Sequence, residues 1–442
     1  MIFDRRSIRW LVLVAVAWSG QLWAGPDIQS WQTSKGARVL YVEAPELPMV
    51  DLRIVFDAGS ARDAVPGVAS LTNALLEEGA GDWSADEIAE RLDSVGSEMT
   101  SSAHRDMAWV SARTLTEKHA LTKTLDTLAQ VVSAPRFDMA ELERNRKAML
   151  TSLSHDEQSP GSVAQKAFMK TLFKEHPYAS PVEGTKESLT AITREDVLKH
   201  YQRYYVAKNA VIAIVGAVDR QEAARMAELI TDGLEAGERA PELPMVSQLD
   251  AATAVDIQFP SSQSHILMGQ PGIYRGDPDY FVLYVGNHIL GGSGLVSLLS
   301  EEVREKRGLS YSVYSYFSPM RRNGPFLIGA QTQNAKAQEA LTVIRQTLAR
   351  FVEQGPSEDE LTAAKQNITG GFPLRIASNS KILEYLAMLG FYDLPLDYLN
   401  VFVSKINGVT REQIREAFQR RVQPENLITV VVGNEQKANT VN

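Results

Sequence analysis

The sequence predicts an α+β protein of two homologous domains, each an antiparallel-rich sheet packed with helices. Three observations support this fold class. The chain has 442 residues, too many for one ordinary domain, and 44% of them are apolar, enough for large buried cores. One pattern of helix start, turn and strand occurs twice at a constant offset. Strands and helices also mix without a strict βαβ alternation, which favours antiparallel sheets over a doubly wound parallel fold.

The duplication is the strongest organisational signal. Thr193 begins a helical pattern that leads to a β-branched run ending at Gly216, and the same pattern runs from Thr410 to Gly433. The offset is 217 residues at both ends, since 410 minus 193 equals 433 minus 216. Each Thr is a plausible helix N-cap, and each β-branched run is typical of a strand buried on both faces. The sequence therefore predicts two copies of one domain.

Strands are predicted at the beginning of each domain and helices after them. The first domain is predicted to hold strands at 38–42, 50–56 and 211–216 and helices at 67–78, 84–94, 117–132 and 139–157. The second is predicted to hold strands at 265–270 and 428–433 and helices at 277–290, 294–307, 335–353 and 357–370. Between them, residues 232–254 contain Gly and Pro without a sustained apolar period, which is typical of a linker. We place the first domain at 25–235, the linker at 236–254 and the second domain at 255–442.

Residues 1–24 resemble an export signal. A basic start that includes Arg5 and Arg6 precedes a short apolar run, and Ala24 ends a stretch typical of a cleavage site. We expect this signal peptide to be removed, leaving a periplasmic chain with no stable membrane anchor; an uncleaved anchor is the alternative. The formal net charge of −9 argues against nucleic-acid binding. With no Cys in the sequence, any metal ligand would have to be His, Asp or Glu.

The segment 67–79 resembles the zinc-binding helix of the pitrilysin and insulinase family of metallopeptidases, whose motif is HxxEH. In that family two His four residues apart bind the metal, and the Glu between them acts as general base. Positions i, i+3 and i+4 share one face of a helix, which explains the spacing. The matching positions here are Ser70, Asn73 and Ala74, and none of these can serve as a zinc ligand or base.

The third zinc ligand of the family, a Glu on a later helix, is also replaced. It corresponds to Ser152, and the auxiliary acidic position corresponds to Asn145. The resemblance therefore implies that this chain alone has no catalytic residue and binds no metal, and that zinc is held by a partner subunit. A peptidase with unconventional ligands is a further alternative, but it lacks any recognisable coordination set.

Other possible sites have simpler explanations. Glu77 is expected to be a solvated helix end, and the adjacent residues 155–157 should point to different sides of their helix. The remaining His residues are widely separated. The glycine-rich stretch 291–294 lacks the Lys and Ser/Thr of a phosphate-binding loop, and we expect a tight turn into a helix there.

The second domain retains a family signature in residues 304–314. In the family an Arg and a Tyr, seven residues apart, lie near the bound peptide, and they correspond to Arg304 and Tyr311. An Arg can donate forked hydrogen bonds to peptide carbonyls, and a Tyr hydroxyl can stabilise an oxyanion. The alternative is that Arg304 and Tyr311 have only a structural role. The family's substrate-binding edge strand corresponds to residues 96–102, where its Asn-Ala pair is replaced by Thr100 and Ser101, so peptide docking there is in doubt.

The resemblance extends over nearly the whole mature chain and implies a specific role. Family members of this length commonly pair into a four-domain clamshell. We expect this chain to be the non-catalytic half of a heterodimeric periplasmic zinc metallopeptidase, supplying Arg304, Tyr311 and half of a peptide chamber to a homologous subunit that has an intact HxxEH helix. The substrate would be a peptide or unfolded polypeptide. The alternative is a scaffold or peptide-binding protein with no part in hydrolysis.

Overall fold

The computed structural model describes residues 25–433, so the predicted signal peptide and residues 434–442 lie outside the described part of the chain. The first half contains eight strands within this range: β1 (Gln29–Gln32), β2 (Arg38–Glu43), β3 (Met49–Phe56), β4 (Gly79–Ala80), β5 (Trp83–Ser84), β6 (Glu98–Ala103), β7 (Ala108–Leu115) and β8 (Ala210–Gly216). The second half contains five: β9 (Thr253–Gln258), β10 (Gln263–Pro271), β11 (Ser310–Phe317), β12 (Pro325–Gln333) and β13 (Ile428–Gly433).

The α-helices are also distributed over both halves. Those of the first half are α1 (Val68–Ala74), α2 (Ala85–Asp93), α3 (Lys118–Ser133), α4 (Met139–Asp156), α5 (Pro160–Phe173), α6 (Lys186–Ala191), α7 (Arg194–Tyr204) and α8 (Arg220–Asp232). Those of the second are α9 (Tyr280–Asn287), α10 (Ala337–Gln354), α11 (Glu358–Arg375), α12 (Asn379–Phe391), α13 (Tyr398–Gly408) and α14 (Arg411–Arg421). Within residues 25–433, every helix is too short or too polar to cross a membrane.

The two large sheets have the same strand order. The first is β6-β7-β3-β8-β2-β1 and the second is β11-β12-β10-β13-β9, so the second repeats the first without its outermost strand. One pair in each sheet is parallel, β2 with β8 and β9 with β13, and the other pairs are antiparallel. This arrangement confirms the predicted α+β class with two related sheets.

The duplicated helix start is confirmed by its caps. The side chain of Thr193 accepts a hydrogen bond from the backbone N–H of Asp196, and Thr410 does the same with Gln413. In both cases the third residue of the helix bonds back to the capping residue, forming a capping box. The offset of 217 residues therefore relates two helix starts that are stabilised in the same way.

The two halves exchange a helix. α5 of the first half packs on β10 and β13 of the second sheet, and α12 of the second half packs on β2, β3 and β8 of the first sheet. Glycines permit the close approach. A Cβ at Gly269 would lie 2.9 Å from the ring of Phe168, and one at Gly390 would lie 2.4 Å from Val211. Each half thus completes the hydrophobic core of the other, an arrangement that the sequence did not predict.

The predicted helices around 277–307 were wrong in detail. α9 ends at Asn287 and continues as a π-helical turn, His288–Gly292, instead of running to residue 290 as an α-helix. The predicted helix 294–307 is a 3₁₀ turn at Gly294–Val296 followed by a π-helix at Ser300–Glu305. Because a Cβ at Gly291 would lie 2.4 Å from the hydroxyl of Ser315, glycine is needed there to let this segment approach β11.

Two other helical predictions differ from the structure. The helix predicted at 67–78 ends at Ala74, and the one predicted at 357–370 extends to Arg375. Five helices were not predicted from the sequence: α5, α6, α8, α12 and α13. The residues between α8 and β9 contain no helix or strand, but they pack against both halves. Leu243 is buried there, and its carbonyl accepts a hydrogen bond from Arg322 of the second half.

Candidate functional site

Helix α1, which carries the positions of the lost zinc motif, is short and capped by a carboxylate. The side chain of Asp63 accepts hydrogen bonds from the backbone N–H groups of Gly67 (2.7 Å) and Ala69 (2.9 Å). These are donors that a helix leaves unsatisfied at its N-terminus. Burial nevertheless raises the pKa of Asp63 to about 7, although both hydrogen bonds oppose the shift. Gly67 has a φ of +94°, which favours glycine at this turn.

The three motif positions on α1 are occupied by groups with other partners. The hydroxyl of Ser70 donates to the carbonyl of Val182 at 2.7 Å. Asn73 is buried, and its amide nitrogen lies 3.4 Å from the carbonyl of Trp109 and 3.4 Å from the hydroxyl of Tyr205. Ala74 offers only a methyl group. This face of α1 therefore has no imidazole or carboxylate to bind a metal.

The positions on α4 are equally unsuitable. Ser152 is exposed. The amide of Asn145 donates to the carboxylate of Glu78 at 3.0 Å and to the carbonyl of Glu141 at 3.0 Å. Hydroxyl and amide groups in these arrangements do not fit a zinc ion, which is bound in proteins by His, Cys, Asp or Glu. In the described part of the chain, no group of three or more His, Asp or Glu residues is placed to hold a metal.

Glu77 is not the solvated helix end that the sequence predicted. It is half-buried after the C-terminus of α1, and burial raises the pKa of its carboxyl, partly opposed by a hydrogen bond with the side chain of Ser101. Since Ser101 lies on β6, this contact ties the end of α1 to the edge strand. The side chains within residues 155–157 have different partners, as expected for adjacent helical residues. Asp156 pairs with Lys166 at 3.1 Å, and Glu157 pairs with Lys186 at 2.5 Å.

The segment matching the family's substrate strand forms an edge of the first sheet. β6 pairs with β7, with Thr100 opposite Ser111 and Ser101 opposite Val110, and the sheet ends at β6. An edge strand offers unpaired backbone groups to an additional strand. The backbone requirement for strand addition is thus present, while the side chains of Thr100 and Ser101 depart from the family pattern.

Arg304 and Tyr311 are brought together in the second half. Arg304 lies on the π-helix Ser300–Glu305, and its guanidinium carbon is 5.2 Å from the ring centroid of Tyr311. The pairing between β11 and β12 shifts register between Ser310 and Ser312, so Tyr311 lies at a bulge. Tyr311 is 82% exposed. A cation over an aromatic ring is a favourable contact, and here it leaves the Tyr side chain open to solvent.

Glu302, which sequence reasoning missed, organises the turn that joins these two residues. Its buried carboxylate pairs with Lys306 (3.1 Å), Arg307 (2.7 Å) and Arg350 (3.0 Å). The hydrogen bond from Arg307 is the main cause that lowers the pKa of Glu302 to about 2. Gly308, with a φ of +57°, completes the turn. No sequence pattern indicates this role, because an acidic residue beside several basic ones is typical of an exposed helix.

Comparison with known proteins identifies the fold and its family. A family model described as insulinase (peptidase family M16) matches residues 38–186, and one described as peptidase M16 inactive domain matches residues 191–368. The crystal structure of a peptidase M16 inactive domain from Pseudomonas fluorescens is similar to this chain with a TM-score of 0.90 and 38% identity, covering 92% of this chain and 98% of that one.

Two bacterial relatives described as uncharacterized zinc proteases are also similar over most of their length. The protein of Streptomyces coelicolor is 27% identical over 358 residues, covering 79% of this chain and 77% of the relative. The protein of Bacillus subtilis is 25% identical over 405 residues, covering 88% and 97%. These matches confirm the resemblance found in the sequence. The chain therefore belongs to the peptidase M16 family, the family of pitrilysin and insulinase, and is an inactive-type member of it.

Proposed function

We propose that this chain is the non-catalytic subunit of a heterodimeric periplasmic zinc metallopeptidase. A homologous partner subunit with an intact HxxEH helix binds the zinc, and this chain contributes Arg304, Tyr311 and half of the peptide chamber. The observation that carries the proposal is the contact between Arg304 and the exposed Tyr311. This pair persists in a chain whose own zinc positions are replaced, which is expected if the pair serves another subunit's metal centre.

The chemistry of the pair suits a bound peptide. The guanidinium of Arg304 has several N–H donors for peptide carbonyls, and the hydroxyl of Tyr311 can donate to the oxyanion that forms when water attacks an amide. Glu305 is the only acidic partner of Arg304 in the described residues, at 3.3 Å, and it is itself largely exposed. The guanidinium can therefore exchange this contact for one to a substrate.

The surface near this pair also suits association with another chain. Leu295 and Val296, in the turn before the helix of Arg304, are 63% and 83% exposed. Exposed apolar side chains are characteristic of surfaces that become buried in a complex. Together with Tyr311, they expose apolar surface at this end of the second half. A protein that remains a monomer does not require such surface.

A second candidate function is a scaffold or peptide-binding protein that takes no part in hydrolysis. The edge strand β6 favours it, because no strand within residues 25–433 pairs with its outer edge, while Thr100 and Ser101 replace the family's Asn-Ala pair. In that case the Arg304–Tyr311 contact would be structural. The two functions differ in whether the Tyr311 hydroxyl affects turnover.

The test is to assemble this chain with a zinc-binding homologous subunit from the same cell and measure peptide cleavage. Tyr311→Phe should reduce kcat by about 10²-fold, the usual effect of losing one oxyanion donor, without reducing assembly. Arg304→Ala should lower kcat/KM. Tyr314→Phe is the matched control, because Tyr314 is also exposed on β11 but its ring stacks on Tyr316, and it should leave kcat unchanged.

Unchanged turnover by an assembled Tyr311→Phe complex would reject the donor role and favour the scaffold. The location is tested separately by cell fractionation. The mature chain should appear in the periplasmic fraction, with its N-terminus near Gly25. Recovery with the cytoplasmic fraction, or with an uncleaved N-terminus in the membrane fraction, would contradict this part of the proposal.

A further inference from the structure

A cavity of about 120 Å³ lies where the two halves and the connecting segment meet. Its walls are unusually basic. The cationic side chains that line it come from the first half, the connecting segment and the second half: Arg38, Arg62, Lys208, Arg239 and Arg321. Neither Arg304 nor Tyr311 lines the cavity, so the proposed peptidase role does not account for it.

Two of these cations share one carboxylate. Arg62 binds Asp57 through both Nε (2.8 Å) and one terminal nitrogen (2.9 Å). The Nε of Arg321 lies 3.3 Å from Oδ2 of Asp57, which already accepts a hydrogen bond from Arg62, and this Nε is buried without a hydrogen-bond partner in the described residues. Asp57 is thus already occupied by Arg62, and it compensates only one of the two positive charges beside it.

The remaining charges also leave a positive excess. Arg38 pairs with Asp393 at 2.7 Å and Lys208 with Glu238 at 3.1 Å. The acidic lining residue Glu242 pairs with Arg322, which lies outside the cavity. Arg239 has no ion-pair or hydrogen-bond partner within residues 25–433. Counting Arg322 and Glu238 with the lining residues gives six cations against four carboxylates, a net charge of +2.

We propose that this cavity binds one small inorganic oxyanion, of the size of phosphate or sulfate. Arg62 is buried while Arg239 and Lys208 are exposed, and guanidinium groups bind oxyanions through charged hydrogen bonds. The volume is sufficient for a small ion, because about 10–15 Å³ of such space already holds one water molecule.

The bound oxyanion connects three parts of the chain. Arg239 lies in the segment between the domains, Arg38 on β2 of the first half, and Arg321 in the second half after β11. An anion that contacts all three holds the connecting segment against both halves. Binding should therefore stabilise the chain and order residues 236–242, independently of any partner subunit.

The test is isothermal titration of the purified full chain with sodium phosphate at constant ionic strength, with sodium chloride as the reference. Saturable binding of one phosphate per chain is expected. Arg239→Gln and Lys208→Gln should each weaken phosphate affinity at least fivefold. Arg225→Gln is the matched control, because it removes one cation from the exposed face of α8 away from the cavity, and it should change affinity less than twofold.

Hydrogen exchange gives a second measurement. Phosphate should slow amide exchange in residues 236–242 of the wild type but not of the Arg239→Gln variant. Absence of saturable phosphate binding by the wild type would overturn the proposal. An Arg239→Gln variant that binds phosphate as tightly as the wild type would also overturn the proposal. The binding would then depend on the net charge of the chain and not on this site.

Discussion

The guanidinium of Arg304 lies over the ring of Tyr311, with 5.2 Å between the guanidinium carbon and the ring centroid. The two residues belong to different elements, a π-helix and a strand, and the turn between them sets their separation. Glu302 holds that turn through three cationic partners. The charge network around the buried Glu302 thus positions the Arg304–Tyr311 pair, while the side chain of Tyr311 remains exposed.

The purified chain should bind little zinc. The purified chain, incubated with zinc and dialysed, should retain well under one zinc per molecule, because the ligand positions offer two hydroxyls, an amide and a methyl. Inductively coupled plasma mass spectrometry measures this directly. One tightly bound zinc per chain, together with peptide cleavage that a chelator abolishes and zinc restores, would show that the chain is an active peptidase with unconventional ligands.

Glu302→Gln should lower the free energy of unfolding by about 2 kcal/mol at pH 7, since hydrogen bonds to charged groups contribute about 1.5–3 kcal/mol. Because the folded-state pKa is lowered to about 2, this stabilisation is present above the usual pKa near 4.5 and is lost as pH falls toward 2. Urea unfolding at pH 7 and pH 3 should therefore show a smaller difference from wild type at pH 3. Glu301→Gln, at a half-exposed neighbour, should cost less than about 0.5 kcal/mol.

His200 should make the fold sensitive to acid. Burial lowers its pKa from 6.5 to about 4, and one ring nitrogen lies 3.2 Å from the carbonyl of Ala58. The folded state therefore disfavours protonation, and stability is lost as pH falls from 6.5 through about 4, by up to about 3 kcal/mol. In thermal unfolding between pH 7 and pH 4, His200→Gln should lose less stability than wild type. His119→Gln, at an exposed His, should follow the wild-type pH dependence.

The exchanged helix α12 gives a paired test of packing. Gly390→Ala should destabilise the chain by about 1–3 kcal/mol, because its Cβ would lie 2.4 Å from Val211 and 2.8 Å from Leu40. Gly370→Ala on α11 meets nothing within 4 Å and should stabilise by about 0.5–1 kcal/mol through helix propensity. Chemical denaturation of both variants measures the contrast. Equal effects would mean that α12 does not pack on the first sheet as described.

Features that depend on residues close together in the chain were predicted from the sequence. The offset of 217 residues, the capping Thr residues and the β-branched runs predicted two related sheets, because caps and strand patterns depend on residues near one another in the chain. The loss of the zinc ligands was equally evident, since Ser70, Asn73 and Ala74 occupy fixed spacings on a single helix. The proximity of Arg304 and Tyr311 followed from the family resemblance, and the structure places them in contact.

What only the tertiary structure decided is which distant surfaces meet. α5 and α12 cross to the opposite sheet, Glu77 is covered near β6, and Glu302 pairs with cations from the following turn and from α10. None of these follows from periodicity, because an apolar helix face or a carboxylate has the same local pattern whichever partner covers it. Burial and pairing over more than a hundred residues depend on the packing of the whole chain, and that packing placed five cations around one cavity.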